Sequence, residues 1–218
     1  MDFSLEIAIL AGGRSSRFGS NKALAPWRGR PLLISVVERL RRLTERIFII
    51  ANDPAPYRPL GLPIHPDLYP GGGPLAGLHS ALVHARGEAL FLLACDMPLV
   101  EPRLVAHMAR LARRHRWMRI VTVERGGRWE PLHSIYPVHL AREAEGLLKA
   151  GQRWGLRRFM AGYRPVVVPE AEAARFCPGL HCLQGANTPE ELERLLRVAE
   201  AGQSGFSRPH TGRSAGKG

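Results

Sequence analysis

Three apolar runs, residues 5–11, 47–51 and 89–94, recur along the chain, each followed by a loop and then by a segment of helical period. Runs this short and this apolar suit strands buried on both faces, which occur where helices cover both sides of a sheet. After Pro31 the apolar residues Leu32, Leu33, Val36, Val37, Leu40 and Leu43 share one helical face, with Glu38, Arg39, Arg41 and Arg42 opposite. Strand, loop, helix, strand is a βαβ unit, and its repetition predicts a parallel sheet. The expected fold is therefore α/β: a single Rossmann-like three-layer domain, mostly parallel, with helices on both faces.

The pattern extends through most of the chain. A proline-rich stretch, 54–70, holds a short strand candidate at 62–65, and Gly71-Gly72-Gly73-Pro74 opens a helix through His84. Helices are expected over 102–115, 140–150 and 152–161, and strands over 120–123, 132–136 and 166–168. Thr188-Pro189-Glu190-Glu191 is a capping box that starts a last helix reaching about residue 201. The domain is read as 1–201. Residues 202–218 hold one large apolar side chain and no acid, and are expected to form a disordered basic tail.

A length of 218 residues suits one domain, or two at most. No apolar run approaches the roughly 20 residues that would span a bilayer, and the N-terminus lacks a basic region and a cleavage site. A cytoplasmic protein with no membrane association is expected. Three cysteines with no framework spacing argue against a disulfide scaffold, and Cys177-x4-Cys182 lacks the second ligand pair of a zinc site. His79, His84, His107 and His133 have no metal spacing and are read as structural.

The net charge of +12 points to anionic partners without choosing among them. More selective is scarcity: the chain has only three Lys and four Asp. Lys22 closes a loop, Leu10-Ala11-Gly12-Gly13-x-Ser15-x-Arg17-x-Gly19-x-x-Lys22, that follows the first strand. Glycines admit an anion close to backbone N–H groups, and Arg17 and Lys22 add charge at a phosphate tail. Asp96 sits at the mouth of the most apolar strand, where Mg²⁺ with substrate phosphates is a common partner for a carboxylate. Asp67 precedes a second glycine-rich loop, 71–77, which leads into a helix N-terminus.

These elements, with Gly73-Pro74-Leu75-Ala76-Gly77, Cys95-Asp96-Met97-Pro98 and Asn187-Thr188-Pro189-Glu190-Glu191-Leu192, resemble the molybdenum cofactor guanylyltransferases over about residues 5–200. The first loop alone marks the wider nucleotidyltransferase superfamily, and residues 130–136 look like the substrate-side strand of the molybdopterin branch. The resemblance implies a nucleotide-diphospho-sugar transferase-like fold and transfer of GMP from GTP to molybdopterin, with Mg²⁺ as cofactor. By position it implies backbone contacts from Leu10, Ala11, Gly12 and Gly13 to the nucleotide, phosphate binding by Lys22 and Arg17, and Asp67 and Asn187 in the substrate site. Asp96 would bind GTP and the metal, with Arg17, Lys22 and Asp96 forming the catalytic set. Implied partners are GTP, molybdopterin or Mo-molybdopterin, and molybdenum-insertion or molybdoenzyme-maturation proteins. Some relatives carry a further Asn where this chain has Gly185, and an Asn where it has Ile50, so those contacts are not expected.

Two rival readings exist. CTP-dependent relatives, acting on molybdopterin or on sugar or polyol phosphates, more often read Leu-Ala-Ala-Gly in the first loop, whereas Gly12 leaves room for a purine edge. A nucleic-acid-binding module is suggested by Arg110, Arg113, Arg114, Arg116 and Arg119, but would leave the Lys22 and Asp96 loops without a role.

Overall fold

The computed structural model describes residues 5–11 and 21–204. In chain order these form β1 (Leu5–Leu10), a short β2–β3 hairpin (Pro26–Trp27 and Arg30–Pro31), α1 (Leu32–Leu40), β4 (Ile47–Ile50) and β5 (Ile64–His65). Next come α2 (Pro74–His84), β6 (Ala89–Ala94), α3 (Pro102–Arg114), β7 (Val121–Arg125), β8 (Arg128–Trp129) and β9 (His133–Pro137). The chain continues through α4 (Ala141–Lys149), α5 (Leu156–Ala161), β10 (Val166–Val168), α6 (Glu170–Ala173) and α7 (Pro189–Ser204).

One sheet carries the order β10-β7-β9-β6-β1-β4-β5, with β8 paired to β7. β5, β4, β1 and β6 are mutually parallel, and β10 is parallel to β7. β9 runs antiparallel to both β6 and β7. The apolar runs are thus central parallel strands, and their two-faced burial is visible residue by residue. Ile7, Ile9, Ile49, Phe91 and Leu93 pack with α1 and α3 on one side. Ala8, Phe48, Ile50, Leu90 and Leu92 pack with α2, α4 and α5 on the other. This alternation, period 2 within each strand, produces the three layers.

The expected elements are present within a few residues, with instructive differences. The helix expected over 152–161 begins only at Leu156, behind Gly155. The strand expected over 132–136 is the antiparallel β9, a direction that side-chain pattern does not encode. The β2–β3 and β8 pairings were not expected; each is two residues long and leaves no periodicity. Trp27 and Trp117 are buried packing residues.

Candidate active site

Strand register places the chemistry in a row. Ile50 pairs with His65, Leu10 with both Ile50 and Ala94, so β5, β4, β1 and β6 end together along one edge of the sheet. The backbone continues this alignment: Ala51 N donates to His65 O, Ala11 N to Ile50 O and Cys95 N to Leu10 O, all at 2.9–3.1 Å. Successive strands are laid outward from β1 to β4 and β5, and then β6 is placed on the other side of β1. That reversal is a topological switch point, where open α/β sheets bind ligands.

A cavity of about 1030 Å³ occupies this edge. Leu10, Lys22, Asn52, Asp67, Gly73, Gly77, Asp96 and Asn187 line it, together with Glu130, Pro131, Leu132 and Arg157. Five sequence-expected residues therefore meet there: Leu10, Lys22, Asp67, Asp96 and Asn187. Ala11 is not among the residues that line it. Gly12, Gly13 and Arg17 lie outside the described residues.

The centre is a three-residue contact. Lys22 Nζ donates to Asp96 Oδ2, 74 residues away in sequence, and to Asn187 Oδ1 at 3.4 Å. Asp96 is only 8% exposed, so its carboxylate needs this partner. Its backbone carbonyl accepts from Ala186 N at 2.9 Å, which lays residues 184–187 across the acid. Gly185 makes that crossing feasible: a Cβ there would stand 3.0 Å from Asp96 Oδ1 and 3.2 Å from Cγ. Beside it, Cys95 is buried and its thiol pKa is pushed up to about 12 by desolvation and by the Asp96 charge, which keeps it protonated.

α7 delivers Asn187. Thr188 Oγ1 accepts from Glu191 N at 3.2 Å, the first half of a capping box. The reciprocal bond goes one residue further back, Asn187 N donating to Glu191 Oε2 at 2.6 Å. The helix cap thus fixes the backbone of a residue whose side chain touches Lys22. Leu192 and Leu195 of α7 bury against Trp27 and Leu32, anchoring the helix beside the β2–β3 hairpin.

Tyr57 gave no sequence signal beyond an aromatic in a loop. Its hydroxyl donates to Ala11 O at 2.7 Å and accepts from Asn21 Nδ2 at 3.0 Å, tying the two flanks of segment 12–20 together. Burial raises its phenol pKa, so it remains a donor. Asp67 Oδ1 accepts from Tyr69 N at 3.0 Å and Ser80 Oγ at 3.2 Å, while Asp67 N donates to Asn52 Oδ1 at 2.9 Å. Asp67 both lines the cavity and shapes the turn before α2. In that turn Gly73 takes φ 73°, a left-handed value suited to glycine. Gly77 would bring a Cβ within 3.1 Å of Leu10, so only a bare Cα lets α2 lie this close to β1.

The donor set fits a hard dication. Mg²⁺ commonly takes one or two protein carboxylates and fills its octahedron with water and phosphate oxygen. Asp96 is a largely buried carboxylate at the cavity wall, and a cation, the Lys22 ammonium, already sits on one of its oxygens. Among the described residues no cluster of three or more His, Cys, Asp or Glu forms a metal cage, and none of them forms a helix long and apolar enough to cross a membrane.

A groove at the switch point of a doubly wound sheet, walled by the glycine-rich 71–77 loop, an ammonium and one buried carboxylate, defines a nucleotide-binding α/β transferase. The chain belongs to the MobA-like NTP transferase family, whose domain matches residues 7–172. It is 36% identical over 197 residues to a molybdenum cofactor guanylyltransferase of Pseudomonas fluorescens, covering 89% of this chain and 94% of that one. The fold is similar to the crystal structure of molybdopterin-guanine dinucleotide biosynthesis protein A from Archaeoglobus fulgidus, with TM-score 0.76, 24% identity, and coverage of 90% of this chain and 99% of the other. It is also similar to a CMP:2-keto-3-deoxy-manno-octonic acid synthetase complexed with CTP, at TM-score 0.66, 17% identity and coverage of 91% and 99%.

Proposed function

We propose that this chain transfers GMP from GTP to the terminal phosphate of molybdopterin, giving molybdopterin guanine dinucleotide and pyrophosphate, in the cytoplasm. The observation that carries this reading is the Lys22–Asp96–Asn187 contact at the switch-point cavity, in a chain whose relatives are guanylyltransferases.

The acceptor is a phosphate monoester, mostly dianionic at neutral pH because its second pKa is near ~6. It needs no general base. An acceptor oxygen forms a bond to the α-phosphorus as the α–β bridging bond breaks, and pyrophosphate leaves with the electron pair. The obstacle is repulsion between two polyanions, so the residues act by neutralising and aligning. Lys22, held by Asp96 and Asn187 in the free protein, meets the triphosphate and stabilises charge building on the leaving pyrophosphate, a task we also assign to Arg17. Leu10 and Ala11, with Gly12 and Gly13, offer backbone to the nucleotide, and Asp67 keeps the loop before α2 in shape at the same site. Asp96 is the residue to hold Mg²⁺, which when bound neutralises phosphate oxygens. Asn187 orients the Lys22 ammonium.

Incubating the protein with Mg²⁺, labelled GTP and molybdopterin should yield the labelled guanine dinucleotide and pyrophosphate. A parallel reaction with CTP should give far less product. Preferred use of CTP would overturn the guanylyl assignment.

A further inference from the structure

The cavity reaches well past the Lys22–Asp96–Asn187 contact. It extends from Asp67, just beyond β5, to Leu132, just before β9, and so crosses five neighbouring strands. At about 4.8 Å per strand this is about 19 Å. Because β9 is antiparallel, the residues that precede it lie on the same edge as the carboxyl ends of the parallel strands, and the groove continues past β6.

A reaction between two phosphate-bearing substrates needs positive charge at two places. Among the described residues lining the cavity, the cationic side chains are Lys22 and Arg157. Lys22 belongs to Asp96. Arg157, in the first turn of α5, lines the cavity with Glu130, Pro131 and Leu132, the residues that lead into β9. Its Nε donates to Trp129 O at 2.8 Å, which fixes the guanidinium plane. Its Nη2 lies 4.0 Å from Glu130 Oε2, an ion pair too long to be a hydrogen bond. The terminal nitrogens therefore have no hydrogen-bond partner among the described residues.

Glu130 is a weak competitor for that guanidinium. Its backbone is pinned, with N donating to Val123 O at 2.9 Å and O accepting from His133 N at 3.0 Å, so the acid cannot close the gap by a loop shift. Burial raises its carboxyl pKa against the opposing pull of Arg157 and Arg125. A phosphate dianion, by contrast, offers the planar guanidinium two oxygens at once.

We infer that Arg157 is the acceptor-side phosphate residue, exchanging its loose pairing with Glu130 for the terminal phosphate of the acceptor. Two phosphate oxygens lie on the terminal nitrogens, and the third is the one that attacks. This assignment rests on the guanylyl-transfer reading above and names the residue that separates acceptor from donor.

The test is steady-state kinetics of Arg157→Ala and Arg157→Lys with GTP and molybdopterin, alongside GTP binding by calorimetry without acceptor. Loss of a bidentate charged contact should raise the acceptor KM by about 10- to 100-fold. The KM and affinity for GTP should stay within about twofold of the wild type on the same reasoning, since the Lys22–Asp96–Asn187 contact is left intact. Arg157→Lys should fall between the two, and inorganic phosphate should inhibit the wild type competitively against acceptor but not inhibit Arg157→Ala. An unchanged acceptor KM, or equal rises for both substrates, would overturn the assignment while wild-type turnover kept the guanylyl reading intact. A wild-type protein that neither binds GTP nor makes the dinucleotide removes that reading instead.

Discussion

At the residue scale, the site turns on a few side chains whose exact reach matters. Asp96 is nearly buried, and Lys22 supplies its countercharge. Lys22→Ala removes both the pairing and the cation meant for the triphosphate. Guanylyl transfer should drop by about 10²- to 10³-fold, measured as kcat with both substrates saturating, while far-UV circular dichroism stays unchanged. Gly185 makes a subtler case. A methyl group at 3.0 Å from Asp96 Oδ1 is tighter than ordinary contact, so either the carboxylate or the 184–187 segment must give way. Gly185→Ala should lower kcat and raise the Mg²⁺ concentration for half-maximal rate, with little change in melting temperature; normal metal dependence would count against this close packing. The scarcity of Lys and Asp pointed to Lys22 and Asp96 beforehand, because neither position can exchange its residue for Arg or Glu without changing charge geometry. Tyr57 was illegible by the same logic: its role exists only where a loop folds back onto Ala11 and Asn21.

At the element scale, two supports hold the site. The cap of α7 couples helix formation to placement of Asn187, since Glu191 bonds to Asn187 N and Thr188 bonds to Glu191 N. Thr188→Ala should cost about 1 kcal/mol of stability in urea titrations and raise the KM for GTP. A stability loss with an unaltered KM would show that the cap serves the helix alone. The capping box was legible because it is four consecutive residues. Its target was not, because Asn187 and Lys22 are 165 positions apart. The second support is the direction of β9. Alternating burial announced a strand near residues 132–136, but parallel and antiparallel strands share that pattern. Only pairing with β6 and β7 turned Glu130 and Pro131 toward the cavity.

At the scale of the whole molecule, stability should fall in mild acid for a reason located in β9. His133 is fully buried, packs edge-on against Phe91, and burial pushes its pKa down from 6.5 to about 4. The unfolded chain binds a proton below about pH 6.5 that the folded chain refuses until about pH 4. Stability is therefore complete above pH 6.5 and declines as pH falls toward 4, by about 3 kcal/mol in total from this one group. Unfolding free energies of His133→Leu should lose most of that acid slope. A slope equal to the wild type would place the acid sensitivity elsewhere. The three layers around this strand follow from two apolar clusters on opposite faces of one sheet, joined by strands that contribute alternate residues to each.

By itself the sequence determined the βαβ alternation, the loops that end the buried strands, and the rarity that marked Lys22, Asp67 and Asp96. These are short-range properties: a strand, a helical period or a glycine loop is written in neighbouring residues. The tertiary structure decided which distant pieces share one cavity. It paired Lys22 with Asp96 and Asn187, reversed β9, and brought Arg157 to the same cavity. Such contacts form because β1, β4 and β6 align their ends when they hydrogen-bond, and that alignment is a property of the assembled sheet that no local stretch of chain contains.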